Sequence, residues 1–228
     1  MPMPDSAPNP ELLPSLGRLV RGLSALFWGL PCALVVCAQT GRMEWLHAFG
    51  FLPPLVVTGI LLYGLWMLGT FQKQERTWHS TLDFAKVIAL INFGLSPFLY
   101  WANQMPDNLF FALMVALLAL CSLLFLLSLN FVLRRLVAML PDETLRHETR
   151  QFTTLNRNLL TALLSLIAIH MALVQFANLP DRVMEILQWM EHNALFILMF
   201  LALLPLAMTM ALIWKTKEVI LNSVFSPK

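Results

Sequence analysis

Ser96 and His170 are the residues with which this sequence comes nearest to catalytic chemistry. A serine becomes a nucleophile when an imidazole within hydrogen-bond reach takes its proton. Both lie deep in long uncharged stretches, so a pairing would make a serine hydrolase inside a membrane. Two rows of polar and small residues surround them. Asn92, Ser96, Tyr100 and Asn103 recur at i, i+4, i+8 and i+11, which places them along one helical face. Thr161, Ser165, Ala168, Ala172 and Gln175 form a second row. His170 points roughly opposite to this second row, because five residues past Ser165 is about 140° of helix. Such rows within a bilayer are either hydrogen-bonded seams between helices or the wall of a polar cavity or ligand path. The seam is the simpler expectation, the cavity comes second and the Ser96–His170 hydrolase third.

Other chemistries lack the residues they require. A bis-His haem needs a second deep histidine, but His47 and His192 fall at the edges of uncharged stretches and His79 and His147 in charged segments. His147-Glu148 has no second histidine at the spacing of a zinc-binding helix. The three cysteines, Cys32, Cys37 and Cys121, match neither a disulfide framework nor a metal spacing. A proton relay wants a carboxylate in the membrane, and every Asp and Glu lies outside the uncharged stretches. No metal and no cofactor is therefore expected.

The elements that must position these residues are set by where charge is missing. Of 228 residues, 58% are apolar and 12% charged, against about 25% charge in soluble domains. That excludes an ordinary soluble or disordered chain, and the net charge of +2 excludes a nucleic-acid binder. A helix needs about 20 apolar residues to cross a bilayer. Six charge-free stretches reach that length, at about 22–41, 49–71, 87–106, 108–133, 158–178 and 193–214. None alternates polar and apolar residues as a barrel strand would. The expected fold class is all-α, a polytopic membrane protein with six transmembrane helices in three hairpins.

The segments between the stretches orient the chain. Lys and Arg are retained on the cytoplasmic side. With both termini inside, that side holds thirteen of the fifteen basic residues, and only Arg42 and Arg182 fall outside. The expected location is the cytoplasmic (plasma) membrane, multi-pass. Trp45, Tyr100, Trp101 and Trp189 sit at the outer edge, and Trp66, Trp78 and Trp214 at or near the inner one, as an aromatic belt would. Pro31, Pro53-Pro54, Pro97 and Pro205 interrupt spans 1, 2, 3 and 6, and a mid-span proline kinks a helix and can open a cavity. Pro53 also suits a helix start. No glycine follows Gly94, so span 4 is expected to pack through Ala112, Ala116 and Ala119.

Residues 1–17 read as a Pro-rich disordered tail, 18–215 as the membrane domain and 216–228 as a short cytoplasmic tail. Span 1 is expected to be retained rather than cleaved as a signal peptide. An amphipathic segment beyond Asn178 suits the outer interface. Inside, Pro141-Asp142-Glu143 starts a helix that runs on toward span 5, the most charged part of the chain. Its surroundings, 134–157, carry Arg134, Arg135, Arg146, Arg150 and Arg157, a candidate surface for a cytoplasmic protein partner or anionic lipid.

With no soluble domain and no charge in the spans, the leading expectation is a non-enzymatic accessory, scaffold or sensor component. It would act through helix packing and the 134–157 segment, with the lipid bilayer and a membrane or cytoplasmic protein as partners. The alternative is a small permease for a neutral or apolar solute that uses the polar face of span 3.

Overall fold

A computed structural model of the chain describes residues 12–40, 49–71, 75–140, 143–174 and 202–222. All regular structure among the described residues is helical. The helices are α1 (Leu12–Thr40), α2 (Leu52–Leu68), α3 (Arg76–Leu95), α4 (Phe98–Gln104), α5 (Leu109–Ala138), α6 (Glu143–Val174) and α7 (202–222). Segments Pro14–Thr40, Arg76–Gln104 and Leu109–Ala138 are long and apolar enough to cross a membrane. Parts of the expected architecture lie outside the described residues: residues 1–11, the part of span 6 before residue 202, Gln175, Trp45, Trp189 and the outer amphipathic segment.

Several helices overrun the charge-free stretches. α1 starts at Leu12, so residues 12–17 are helical rather than a disordered tail. Pro14 is compatible with this because the first N–H groups of a helix have no helical partner to lose. α3 starts at Arg76 rather than near 87, and α7 runs to residue 222, past the expected start of the C-terminal tail. Absence of charge marks what fits in lipid, whereas a helix ends where its backbone loses partners, and charged turns extend it into water. The same holds at 134–157. α5 continues to Ala138 and α6 begins at Glu143, so most of this segment is helix, and the Glu143 start matches the sequence reading.

Prolines act in three ways. Pro31 lies inside an unbroken α1. Pro53 and Pro54 occupy the first turn of α2, where they begin a helix. Pro97 separates α3 from α4, since it has no N–H to continue the ladder. Asn108 then caps α5, its side-chain oxygen accepting from Phe110 N at 3.0 Å.

α1 packs on α2, α2 on α3, α3 and α4 on α5, and α5 on α6. α1 and α2 meet backbone to backbone. A Cβ at Gly22 would stand 2.8 Å from Gly64 O, and one at Gly64 3.1 Å from Gly22 O. A Cβ at Gly29 would stand 2.8 Å from Leu61 Cδ2, so the two helices run antiparallel. Small residues that let backbones touch are a membrane mode of helix packing. α5 buries Leu118, Cys121, Phe125, Leu129, Val132 and Leu136. The expected alanine contact is not the one used: Ala112, Ala116 and Ala119 are exposed, because leucine and phenylalanine fill the space facing α3 and α6.

The outward faces are also apolar. On α5, Leu113, Leu117, Leu120 and Leu124 are exposed at helical spacing, and Val56, Ile60 and Tyr63 do the same on α2. Helices apolar on both faces are those that lipid or a core surrounds. Trp66, Trp101 and Trp214 are exposed as an aromatic belt requires, but Trp78 is fully buried with Leu82 and Ala85 in the core. Its position one and two turns before those residues puts it on the packed face of α3.

Candidate functional site

The polar row of α3 and α4 meets three different helices. Asn92 Nδ2 donates to Cys121 O of α5 at 3.3 Å. Ser96 Oγ donates to Phe93 O at 2.9 Å and accepts from Thr58 Oγ1 of α2 at 3.3 Å. Asn103 Nδ2 donates to Thr40 O at the end of α1 at 3.4 Å. Tyr100 Oη accepts from Gln104 Nε2. The row is thus a set of cross-helix ties rather than a continuous polar path. Ser96 is fully buried with its proton already given to a carbonyl, whereas a nucleophile needs that proton facing its base. The side chain of His170 lies outside the described residues.

Of the second row, the side chains of Ala168, Ala172 and Gln175 lie outside the described residues. Thr161 and Ser165 are exposed on α6. The buried stripe of α6 is Thr149, Thr153, Asn156, Leu160 and Leu163, one row over. Asn156 Nδ2 donates to Thr209 Oγ1 of α7 at 2.9 Å and to Pro205 O at 3.3 Å. From α5, Asn130 Nδ2 donates to the same Thr209 oxygen at 3.1 Å. Thr209 passes its own proton to Pro205 O at 2.7 Å. One buried hydroxyl thus joins three helices. This set was not legible in the sequence, because Asn130 and Asn156 stand near Arg134, Arg135 and Arg157, outside both polar rows. The available signal was Pro205, four residues before Thr209, which fits a threonine bonding back to an i−4 carbonyl.

The arginines divide. Arg134, Arg135, Arg150 and Arg157 are exposed. Arg146 reaches back to the end of α5, donating to Leu140 O at 3.1 Å and Ala138 O at 3.4 Å, so it closes a helix terminus. Nearby, Lys215 of α7 pairs with Glu148 of α6.

Between the helices lies a cavity of about 400 Å³. All seven helices contribute to its wall, among them Leu30, Leu61, Leu99, Phe125, Leu163 and Leu206. Three of these lie within two residues of a proline: Leu30 by Pro31, Leu99 by Pro97 and Leu206 by Pro205. A proline inside a helix removes one backbone hydrogen bond. The described wall is apolar apart from Thr58, Asn92, Ser122 and the thiol of Cys37, and it carries no charged side chain. Such a volume falls within the about 300–1,000 Å³ of small-molecule pockets. Among the described residues, no group of three or more His, Cys, Asp or Glu is placed to hold a metal ion.

Fold and cavity together define the class: a protein helical throughout its described regular structure, with helices fit for a membrane and a cavity whose described wall carries no charge. No protein-family model matches the chain, and no curated protein or solved structure is similar to it.

Proposed function

We propose that this chain is a non-enzymatic, multi-pass component of the cytoplasmic membrane, with six spans in three hairpins and both termini inside. One observation carries the reading. Every buried polar side chain among the described residues is Ser, Thr or Asn, and those with partners mostly bond to a helix backbone or across to another helix. A bundle of this kind works by packing and binding rather than by proton transfer or covalent chemistry. The exposed Arg134, Arg135, Arg150 and Arg157 support a cytoplasmic docking role for the α5–α6 junction, toward a protein or anionic lipid.

Purification from the native membrane in mild detergent, with mass spectrometry of bound proteins and lipids, tests the docking role. A co-purifying partner released by Arg150→Glu with Arg157→Glu is the expected result. A lone protomer free of both protein and anionic lipid would count against it. Reporter fusions test the topology: fusions after residues 74, 141 and 222 should report the cytoplasm, and fusions after residues 43 and 107 the outside.

A second reading, uptake or passage of a small neutral or apolar solute, is favoured by the cavity, whose described wall carries no charged side chain. Widening or filling that cavity should then change solute flux into proteoliposomes, and flux indifferent to both changes would rule it out.

A further inference from the structure

We propose that a groove between α1, α6 and α7 is a binding site for one zwitterionic phospholipid whose headgroup ends in a primary ammonium, as in phosphatidylethanolamine. The proposal rests on the reading of the chain as a membrane component, but not on its orientation. The groove holds about 620 Å³ and shares no described lining residue with the central cavity. On α7 it runs from Ala207 past Met210, Ala211, Trp214 and Lys215 to Glu218. That is about 16 Å at 1.5 Å per residue. Ala207, Ala211, Trp214, Lys215 and Glu218 are exposed, so the groove is open along this side. Phe27 of α1 and Phe152 of α6 add to its apolar part.

The order of groups along that length identifies the occupant. Ala207, Met210 and Ala211 come first and offer only apolar surface. Trp214 follows, an amphipathic ring of the kind that sits at headgroup level. Lys215 and then Glu218 stand beyond it. A phospholipid presents the complementary order of acyl chain, ester region, phosphate and ammonium. Lys215 spends one of its three donors on Glu148, which leaves two for a phosphate. Glu218 forms no ion pair among the described residues. It stands three residues after Lys215, where helical side chains are neighbours at about 5–6 Å. One headgroup carrying both charges can therefore touch both side chains. The ammonium must donate hydrogen bonds, because a carboxylate faces it. The Trp214 ring is already engaged by Phe27, with centroids 5.6 Å apart, and by Lys217 at 5.7 Å, so it is not free to enclose a choline. A headgroup without an ammonium, such as phosphatidylglycerol, would bring a negative charge to a rim where Glu148 and Glu218 face one lysine.

The test is native mass spectrometry of the full chain, released from detergent micelles that hold equal amounts of phosphatidylethanolamine, phosphatidylcholine and phosphatidylglycerol with matched acyl chains. The unaltered protein should retain phosphatidylethanolamine about three- to tenfold more than either competitor, the range for one charge-assisted hydrogen bond at an exposed rim. Glu218→Gln, which keeps the shape and removes the charge, should bring phosphatidylethanolamine down to the level of phosphatidylcholine. Ala211→Phe fills the apolar part and should lower retention of all three lipids. Both positions are exposed, so both variants should fold. Equal retention of the three lipids by the unaltered protein overturns the headgroup preference. A preference that survives both substitutions overturns the groove as its site. Either result leaves the membrane reading standing, whereas recovery of the chain in the soluble fraction of its cell would overturn that reading as well.

Discussion

Replacing Thr209 with valine would probe the junction of α5, α6 and α7 at a single atom. Valine matches threonine closely in shape, so no cavity opens and the change is confined to the hydroxyl. That hydroxyl is fully buried, accepts from Asn130 and Asn156, and donates to Pro205 O. Asn130 Nδ2 keeps Leu126 O at 2.7 Å and Asn156 Nδ2 keeps Pro205 O, so neither amide nitrogen is orphaned. The loss is therefore two interhelical hydrogen bonds, each worth about 0.6 kcal/mol on average and up to about 1.7 in membrane helices. Thr209→Val should cost roughly 1–3 kcal/mol, and Thr209→Ser, which keeps the hydroxyl, clearly less. Unfolding of the purified protein in bicelles by titrated SDS measures both. A double-mutant cycle with Asn156→Ala should show coupling, because the two residues share the bond. A Thr209→Val loss below about 0.5 kcal/mol with additive behaviour in the cycle would refute the claim that this hydroxyl ties the helices.

Further expectations follow from the glycines and the ion pair. Gly22→Val should cost about 1–3 kcal/mol, since its Cβ would meet the Gly64 carbonyl, while Gly59→Ala, whose Cβ would make ordinary contact with Phe93, should stay close to the parent in the same SDS titration. Gly50 holds φ at +60° in open space, so Gly50→Ala should cost about 1 kcal/mol through backbone strain alone, and thermal melting in detergent should show Gly50→Asn to be milder. Lys215 and Glu148 are each about half exposed, so Lys215→Gln should shift stability by less than about 1 kcal/mol, with the effect shrinking further in high salt.

Much of the helical plan was readable because lipid imposes a single rule, that charge stays out. The uncharged stretches located α2 and the cores of α1, α3, α5 and α6, and the acidic Glu143 start located the beginning of α6. What the rule does not encode is where a helix stops once it has left the lipid, which is why Leu12 and Arg76 were missed as helix starts. The sites were only partly legible. Asn92 and Ser96 share a face and do meet neighbouring helices, as their spacing implied. The pairing of Asn130 and Asn156 with Thr209 joins positions far apart in sequence, and no local period carries that information. Ser165 misled because on α6, where α5 and α7 both pack, the apolar residues Leu160 and Leu163 compete for the interior and win it.

The glycine contact between α1 and α2 bears on the order in which the protein is made. Its partners, Gly22 and Gly64, both belong to the first two helices, so this close backbone approach is available before α3 has been synthesised. Domains and hairpins tend to form as units from the N-terminus during synthesis. The antiparallel pair then serves as a ready template on which Thr58 receives Ser96 and the end of α1 receives Asn103, so each arriving helix docks on a surface already set. A folding defect in Gly22→Val should therefore appear early, as lost pulling force on a nascent chain stalled soon after residue 68 has left the ribosome.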